Sequence, residues 1–178
     1  GVYVKYSRAP WRPWHWAVKA IVPRWRQPKS MTPLYEAAGL NHTALARLLL
    51  DAGADVTKRV ENGDTALHVA CEYAATEVVR ILLDAGADPN AKGHLQGTPI
   101  QQLLAGRCGA PKVIAGREQP DETRVPDELA IIDLLVARGA NLDVRYTVGC
   151  PLLYVALGEK HSVQVIRRLI ELGAKVEA

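Results

Sequence analysis

The 178-residue sequence contains no Phe, one Met and three Cys. All four Trp lie between Trp11 and Trp25, so no core built around large rings can extend along the rest of the chain. What remains for packing is aliphatic, chiefly Ala, Leu, Ile and Val. Cys71, Cys108 and Cys150 are odd in number and widely spaced, and no CxxC occurs, which speaks against a disulfide framework or a zinc site. Such thiols suit a reducing, cytoplasmic setting. No apolar run approaches the roughly 18–20 residues that a membrane-spanning helix needs. Pro10, Pro13 and Pro23 interrupt the start, which has no apolar core of the signal-peptide kind. The first residue is Gly rather than Met, so the chain reads as a fragment or as carrying a processing remnant; an upstream signal that has been removed stays open.

Motifs of catalysis are missing as well. There is no Gly-x-Ser-x-Gly, no Gly-Lys-Ser/Thr loop and no Gly-x-Gly-x-x-Gly. His15, His42, His68, His94 and His161 show no HExxH or other metal-ligand spacing. The expectation is therefore no enzyme, no metal, no cofactor and no small-molecule substrate. Cys71 reads as a core residue and Cys150 replaces a capping residue. Cys108, beside Arg107, is the one thiol for which a reactive role is considered, on the weak ground of a single basic neighbour.

What is present is periodic. Thr32, Thr65 and Thr98 are 33 residues apart, as are Gly53 and Gly86. The segments read Thr-Pro-Leu-Tyr-Glu-Ala-Ala from Thr32, Thr-Ala-Leu-His-Val-Ala-Cys from Thr65 and Thr-Pro-Ile-Gln-Gln-Leu-Leu from Thr98; a fourth, Cys-Pro-Leu-Leu-Tyr-Val-Ala, starts at Cys150. Each leads to a Leu-rich run ending in Gly-Ala at Gly53, Gly86, Gly139 and Gly173. Thr supplies an N-cap hydroxyl, and Pro suits the first helical turn. Small pairs such as Ala37-Ala38 and Ala70-Cys71 allow neighbouring helices to approach. Val78, Val79, Ile81, Leu82 and Leu83 cover most of a helix circumference, so that helix is buried between neighbours. The glycines stand where a left-handed C-cap is wanted.

These residues resemble the ankyrin repeat. Thr65-Ala66-Leu67-His68-Val69-Ala70 and Leu82-Leu83-Asp84-Ala85-Gly86-Ala87-Asp88-Pro89-Asn90 follow its pattern closely, and the resemblance covers residues 31–178, or 148 of the 178. It implies an all-α solenoid of stacked antiparallel helix pairs with hairpin fingers, and a structural role for His68 and His42. The units are 31–63, 64–96, 97–148 and 149–178, the last two degenerate.

The third unit departs from the pattern. Thr98 to Gly139 is 41 residues, against 21 for Thr32 to Gly53. The extra residues fall in 105–127, rich in Gly, Pro and charge, and read as an exposed loop. Both a contact role and simple disorder are open for it. Pro126 with Asp127 and Glu128 restarts the helix. Leu103-Leu104 replaces the small pair, which requires adjusted packing. Arg168, at the position of Leu48, Ile81 and Leu134, and Glu36, at that of Val69, suggest polar outer faces on end units. Gln102 also replaces Val69, although its unit is internal.

Residues 1–30 form a segment of their own. Seven basic residues and no acid give it +7, while the other 15 basic and 19 acidic residues give the body −4. Residues 13–22 are expected to form a short helix bounded by prolines. One reading has Trp14, Ile21 and Val22 packing on the first repeat as a cap, a reading that Glu36 disfavours for full coverage. Others use Trp11, Trp14, Trp16 and Trp25 to dock a protein partner, to sit at a membrane surface, or to stack on nucleic acid, the least favoured.

Function is thus expected on the surface: a non-catalytic scaffold or adaptor binding a protein partner. Contact positions carried over from the family are Lys58, Arg59, Glu61, Asn62 and Asp64 in the first finger, His94, Leu95 and Gln96 in the second, Arg145 and Tyr146 in the third, and Leu40, Glu72 and Tyr73 on the helix face. The apolar Leu95, Tyr73 and Tyr146 are the strongest of these, since exposed rings and Leu are costly without a use. Alternatives are a membrane-associated adaptor held by the Trp/Arg head and an effector that inhibits a bound target.

Overall fold

The computed structural model describes residues 31–105, 124–145, 149, 151–158 and 161–175. The expectations for residues 1–30, for most of 105–127 including Cys108, for Tyr146 and for Cys150 lie outside them. Among the described residues there are eight α-helices and no β-strand: α1 Pro33–Gly39, α2 Thr43–Asp51, α3 Ala66–Glu72, α4 Thr76–Asp84, α5 Pro99–Ala105, α6 Val125–Ala137, α7 Leu152–Gly158 and α8 Val163–Glu171. They pair as α1/α2, α3/α4, α5/α6 and α7/α8. First helices stack in the order α1, α3, α5, α7, and second helices in the order α2, α4, α6, α8. The all-α solenoid expected from the repeat is the architecture found.

Local chemistry sets each boundary. Thr32 caps α1 by accepting from the Tyr35 N–H at 3.1 Å, with Pro33 opening the helix. In the next unit the cap is reciprocal: the Thr65 N–H donates to His68 Nδ1 at 3.1 Å. Nδ1 is therefore unprotonated, and Nε2–H donates to the carbonyls of Ala91 at 3.1 Å and Gly97 at 3.2 Å. The third unit performs the same task with Gln101, whose Oε1 accepts from the Thr98 N–H at 2.9 Å and hydroxyl at 3.2 Å. His42 caps α2, accepting at Nδ1 from Leu45 N–H. At the far ends, Gly53, Gly86, Gly139 and Gly173 adopt φ of +86°, +88°, +84° and +94°. In each, two hydrogen bonds close the Schellman pattern, for example Ala87 N–H to Leu82 O at 2.9 Å and Gly86 N–H to Leu83 O at 3.1 Å.

The core runs down the middle of the stack. Leu34, Leu67, Ile100 and Leu152 occupy one position in successive first helices and all are buried. Val78, Val79, Leu82 and Leu83 of α4 are buried as well, so that helix is covered on several sides. Leu103 and Leu104 are fully inside α5's interfaces. They fit because the stacked neighbours offer small residues, Ala70 and Cys71 on α3 and Ala156 on α7. The third unit's second helix starts at Val125, earlier than the loop reading of 105–127 placed it. Pro126 stands in the first turn, as its restart of the helix requires, and the boundary lies one residue before it.

Polar links tie the second helices at their rims. Thr76 Oγ1 donates to Asp127 at 2.9 Å, Arg138 pairs with Asp84, and Arg168 donates to Asp133 at 2.8 Å. Arg168 thus reaches back to α6 and to Glu171. Buried His161 joins three pieces of chain: Nε2–H donates to Leu104 O at 2.8 Å, and Nδ1 lies 3.1 Å from Glu128 Oε2.

Two glycines separate backbone strain from steric overlap. A Cβ on Gly86 would meet nothing within 4 Å, so Gly86→Ala is expected to cost about 1–2 kcal/mol from its left-handed backbone alone. A Cβ on Gly93 would overlap Asp64 Oδ1 and crowd the His68 ring. Gly93→Ala should therefore lower the urea midpoint markedly more than Gly86→Ala. Burial pulls the His68 pKa below its ordinary 6.5, outweighing the nearby Asp64 carboxylate and the two carbonyls. The unfolded chain then takes up the proton first as pH falls. His68's contribution is intact above pH about 6.5 and is lost progressively below it, toward the lower folded value. His68→Gln, which copies the cap of Gln101, should flatten that part of the stability–pH curve. His68→Ala should cost about 1–3 kcal/mol for each buried group left unpaired.

Candidate functional site

The exposed edge of the first helices and the finger tips are positioned by the bonds just described. The first finger turns at Val60 to Gly63, closed by Gly63 N–H to Val60 O at 2.8 Å and Val60 N–H to Asp64 O at 2.9 Å. Asp55 starts it with an Asx turn, accepting from the Thr57 N–H at 2.8 Å. The second finger turns at the 3₁₀ segment His94–Gln96, closed by Gly93 N–H to Gly97 O at 2.8 Å. The fingers are short turns rather than extended ladders.

Adjacent fingers are clasped together. Asp64 is buried, and its Oδ1 accepts from the His94 backbone N–H at 2.7 Å. Its other oxygen accepts from Asn62 Nδ2 at 2.6 Å. Arg59 is exposed, yet its guanidinium donates to the carbonyls of Lys92 and Gly63. Asn90 spans the next gap: its Nδ2 donates to Gly139 O at 2.8 Å and its Oδ1 accepts from Asn141 N–H at 2.7 Å. Arg145 is exposed and donates to Gly149 O at 3.4 Å.

The structure therefore divides the expected contact residues. Asp64, Asn62 and Arg59 spend polar groups on the clasp, and position the finger tips. Lys58, Glu61, His94, Leu95 and Gln96 stay at the surface. Leu95 is 68 % exposed although it sits at φ +50°, and Gln96 follows at φ +61°. Two successive non-glycine residues in the left-handed region hold strain of order 1–3 kcal/mol each, and the Asp64 carboxylate secures the segment. Nothing in the sequence of Leu95 signals that conformation.

At the ends of the stacked α1 and α3, the equivalent C-cap residues Leu40 and Tyr73 are 74 % and 60 % exposed. Glu72 is half-buried beside Tyr73. Burial raises its carboxyl pKa first of all, with nearby Asp64 adding to the effect, while Gln102 and Arg124 oppose it. Burial also raises the phenol of Tyr35, with Asp64, Glu72 and Tyr73 contributing. Glu72 is the acid beside Tyr73, and Arg124 donates to the Glu72 carbonyl at 3.1 Å. Sequence reasoning missed Tyr154 and Leu157, 64 % and 60 % exposed, which lie three residues apart on one side of α7. The available signal was Tyr154 standing at the position of Val69 and Gln102.

Chemistry is sparse here. Among the described residues no group of three or more His, Cys, Asp or Glu could hold a metal ion. Cys71 is fully buried, and burial pushes its thiol pKa up, away from the reactive thiolate. No described helix is long and apolar enough to cross a membrane.

A family profile described as "Ankyrin repeats (3 copies)" matches residues 13–93, so the match begins upstream of Met31. No curated protein matches the chain. Ankyrin repeats generally mediate protein–protein interactions and are typically non-catalytic. The profile match and the stacked helix pairs agree: the chain is similar to ankyrin-repeat proteins, and its described helices form an all-α solenoid of the ankyrin-repeat kind.

Proposed function

We propose that the chain is a non-catalytic scaffold that holds a protein partner between its finger tips and the exposed edge of its first helices. The observation that carries this reading is Leu95: an apolar side chain held out at a finger tip in a strained backbone conformation secured by a buried carboxylate. Stability alone would favour Gly at φ +50° and a polar side chain in water. Leu40 and Tyr73 support it from the helix side. Burying one Leu against a partner contributes about 1.5–3 kcal/mol, and Tyr is among the residues enriched in binding hot spots.

The surrounding acids indicate what the partner brings. Glu36 stands four residues before Leu40 and Glu72 stands next to Tyr73, so a partner with Lys or Arg next to an apolar side chain is complementary. The free, buried Cys71 thiol fits work in a reducing compartment such as the cytoplasm. Ankyrin repeats in general bind proteins.

Pull-down from the native source with the immobilised full chain tests the reading. Leu95→Ser and Tyr73→Ser should each weaken retention of the captured partner by tenfold or more, corresponding to roughly 1.4 kcal/mol. Ile170→Ser, on the second helix α8 and 46 % exposed, should leave retention unchanged. Equal retention by all three variants would remove the proposed face.

A further inference from the structure

The second helices show which neighbour covers each of their faces. They align on the glycines that end them, Gly53, Gly86, Gly139 and Gly173. Among the described residues the first unit has only a follower and the fourth only a predecessor. Five positions before the glycine, Leu48 is 64 % exposed in the first unit, while Ile81 and Leu134 are half-buried in units that have a predecessor. That column therefore faces the predecessor. Arg168, its member in the fourth unit, donates back to Asp133 of α6. Arg168 thus lies on an inner face and gives the fourth unit no polar outer surface.

Ten, seven and three positions before the glycine the direction is reversed. In α4 these places hold Thr76, Val79 and Leu83. Thr76 donates to Asp127 of the following unit, and Val79 and Leu83 are buried. The fourth unit has Val163, Ile166 and Ile170 there, with Val163 70 % and Ile170 46 % exposed. The first helices add one more such place. Glu72, seven residues after its capping Thr, meets Gln102 and Arg124 of the third unit. The fourth unit has the exposed Leu157 at that position.

An end unit needs a polar outer face, because water replaces the neighbour. The fourth unit runs the other way. Glu72 and Thr76 are polar although a following unit covers them, whereas Leu157 and Val163 are apolar although no described unit does. Val163, Ile166 and Ile170 follow i, i+3, i+7 spacing, the narrow stripe on which one helix seats another.

The stack itself supplies the form of the occupant. α8 packs on α6 with Val165 and Leu169, four apart, both buried, and with Arg168 meeting Asp133 beside them. Arg167 stands in the column of Asp133, is exposed, and makes no ion pair among the described residues. The charge offered at that place is thus reversed. A helix seated on α8 as α8 is seated on α6 needs two apolar residues four apart, and an Asp or Glu just before the second. A second copy of the chain does not meet that requirement. Its α8 would bring Arg168 to Arg167. Its first unit would bring Leu48 there, and would set Glu36, in the place from which Gln102 reaches Glu72, against the apolar Leu157.

We propose that the flank formed by Leu157, Val163, Ile166 and Ile170 is a second interaction surface, which takes one amphipathic helix of a partner protein with the pattern apolar-x-x-acid-apolar, its acid on Arg167. This is helix-on-groove recognition. The surface shares no residue with the face around Leu95, Leu40 and Tyr73.

A fluorescein-labelled peptide of about 20 residues, long enough to form a helix, tests the proposal when it repeats Leu-x-x-Asp-Leu every heptad. Fluorescence anisotropy with the purified full chain should show it binding tenfold or more tighter than the same peptide with Lys for Asp. Val163→Asp should weaken binding tenfold or more, and Arg167→Glu should reverse the preference between the two peptides. Leu95→Ser should change neither, so the outcome is independent of the face proposed above. Val163 and Arg167 are exposed, so these variants should keep the urea midpoint of the parent chain. If Val163→Asp does not fold, Leu157→Asp takes its place in the same assay. No binding of either peptide, equal affinity after the flank substitution, or a charge preference that Arg167→Glu does not move would overturn the proposal. So would a dimer in sedimentation equilibrium that Val163→Asp abolishes, since the occupant would then be a second copy.

Discussion

A helix of seven residues cannot hold itself together in water. Isolated helices shorter than about 12–15 residues are marginal even with the best formers, and α1, α3, α5 and α7 have seven each. Every first helix therefore exists because its neighbours bury it and because its ends are closed by side chains. In α3 all six residues from Ala66 to Cys71 are buried, including His68. The capping bonds, the glycine turns and the finger clasp are all answers to that constraint. Stability in such a stack is held in nearest-neighbour interfaces rather than in one common centre.

Much of this was legible in the sequence, because the constraint acts through local chemistry. Thr before Pro, glycines at fixed intervals and small residues where helices touch each have one physical meaning, and each stands where it was expected. The limits were equally physical. The left-handed turns at Asn41 and Ala74, φ +51° and +52°, carry no glycine to announce them. Leu95 gave its exposure away but not its strained backbone. Asp64 looked like a surface acid because the contact that buries it comes from a residue 30 positions later. Pro126, Asp127 and Glu128 stand in the first turn of α6 as read, and the helix begins one residue before the proline, at Val125. Tyr154 and Leu157 were passed over in a unit whose repeat pattern had weakened.

The clasp between fingers links stability to recognition. The carboxylate that holds His94 N–H is the one beside the His68 ring, and that ring also holds Ala91 and Gly97 on either side of the second finger. The finger presenting Leu95 is thus anchored to the core through one imidazole and one carboxylate. The recognition edge gains rigidity from the same buried groups that close the helix ends, so little ordering remains to be done on binding.

The two stems of the third unit's long connection, at Leu104 and Glu128, are both fastened to the fourth unit. His161 grips Leu104 on one side and Glu128 on the other, while Asn90 fixes the second finger to the third. Rise and twist from one unit to the next are consequently set by the spine. The register of the third unit against its neighbours is thus carried by groups at residues 90, 104, 128 and 161, as a span is carried by its piers.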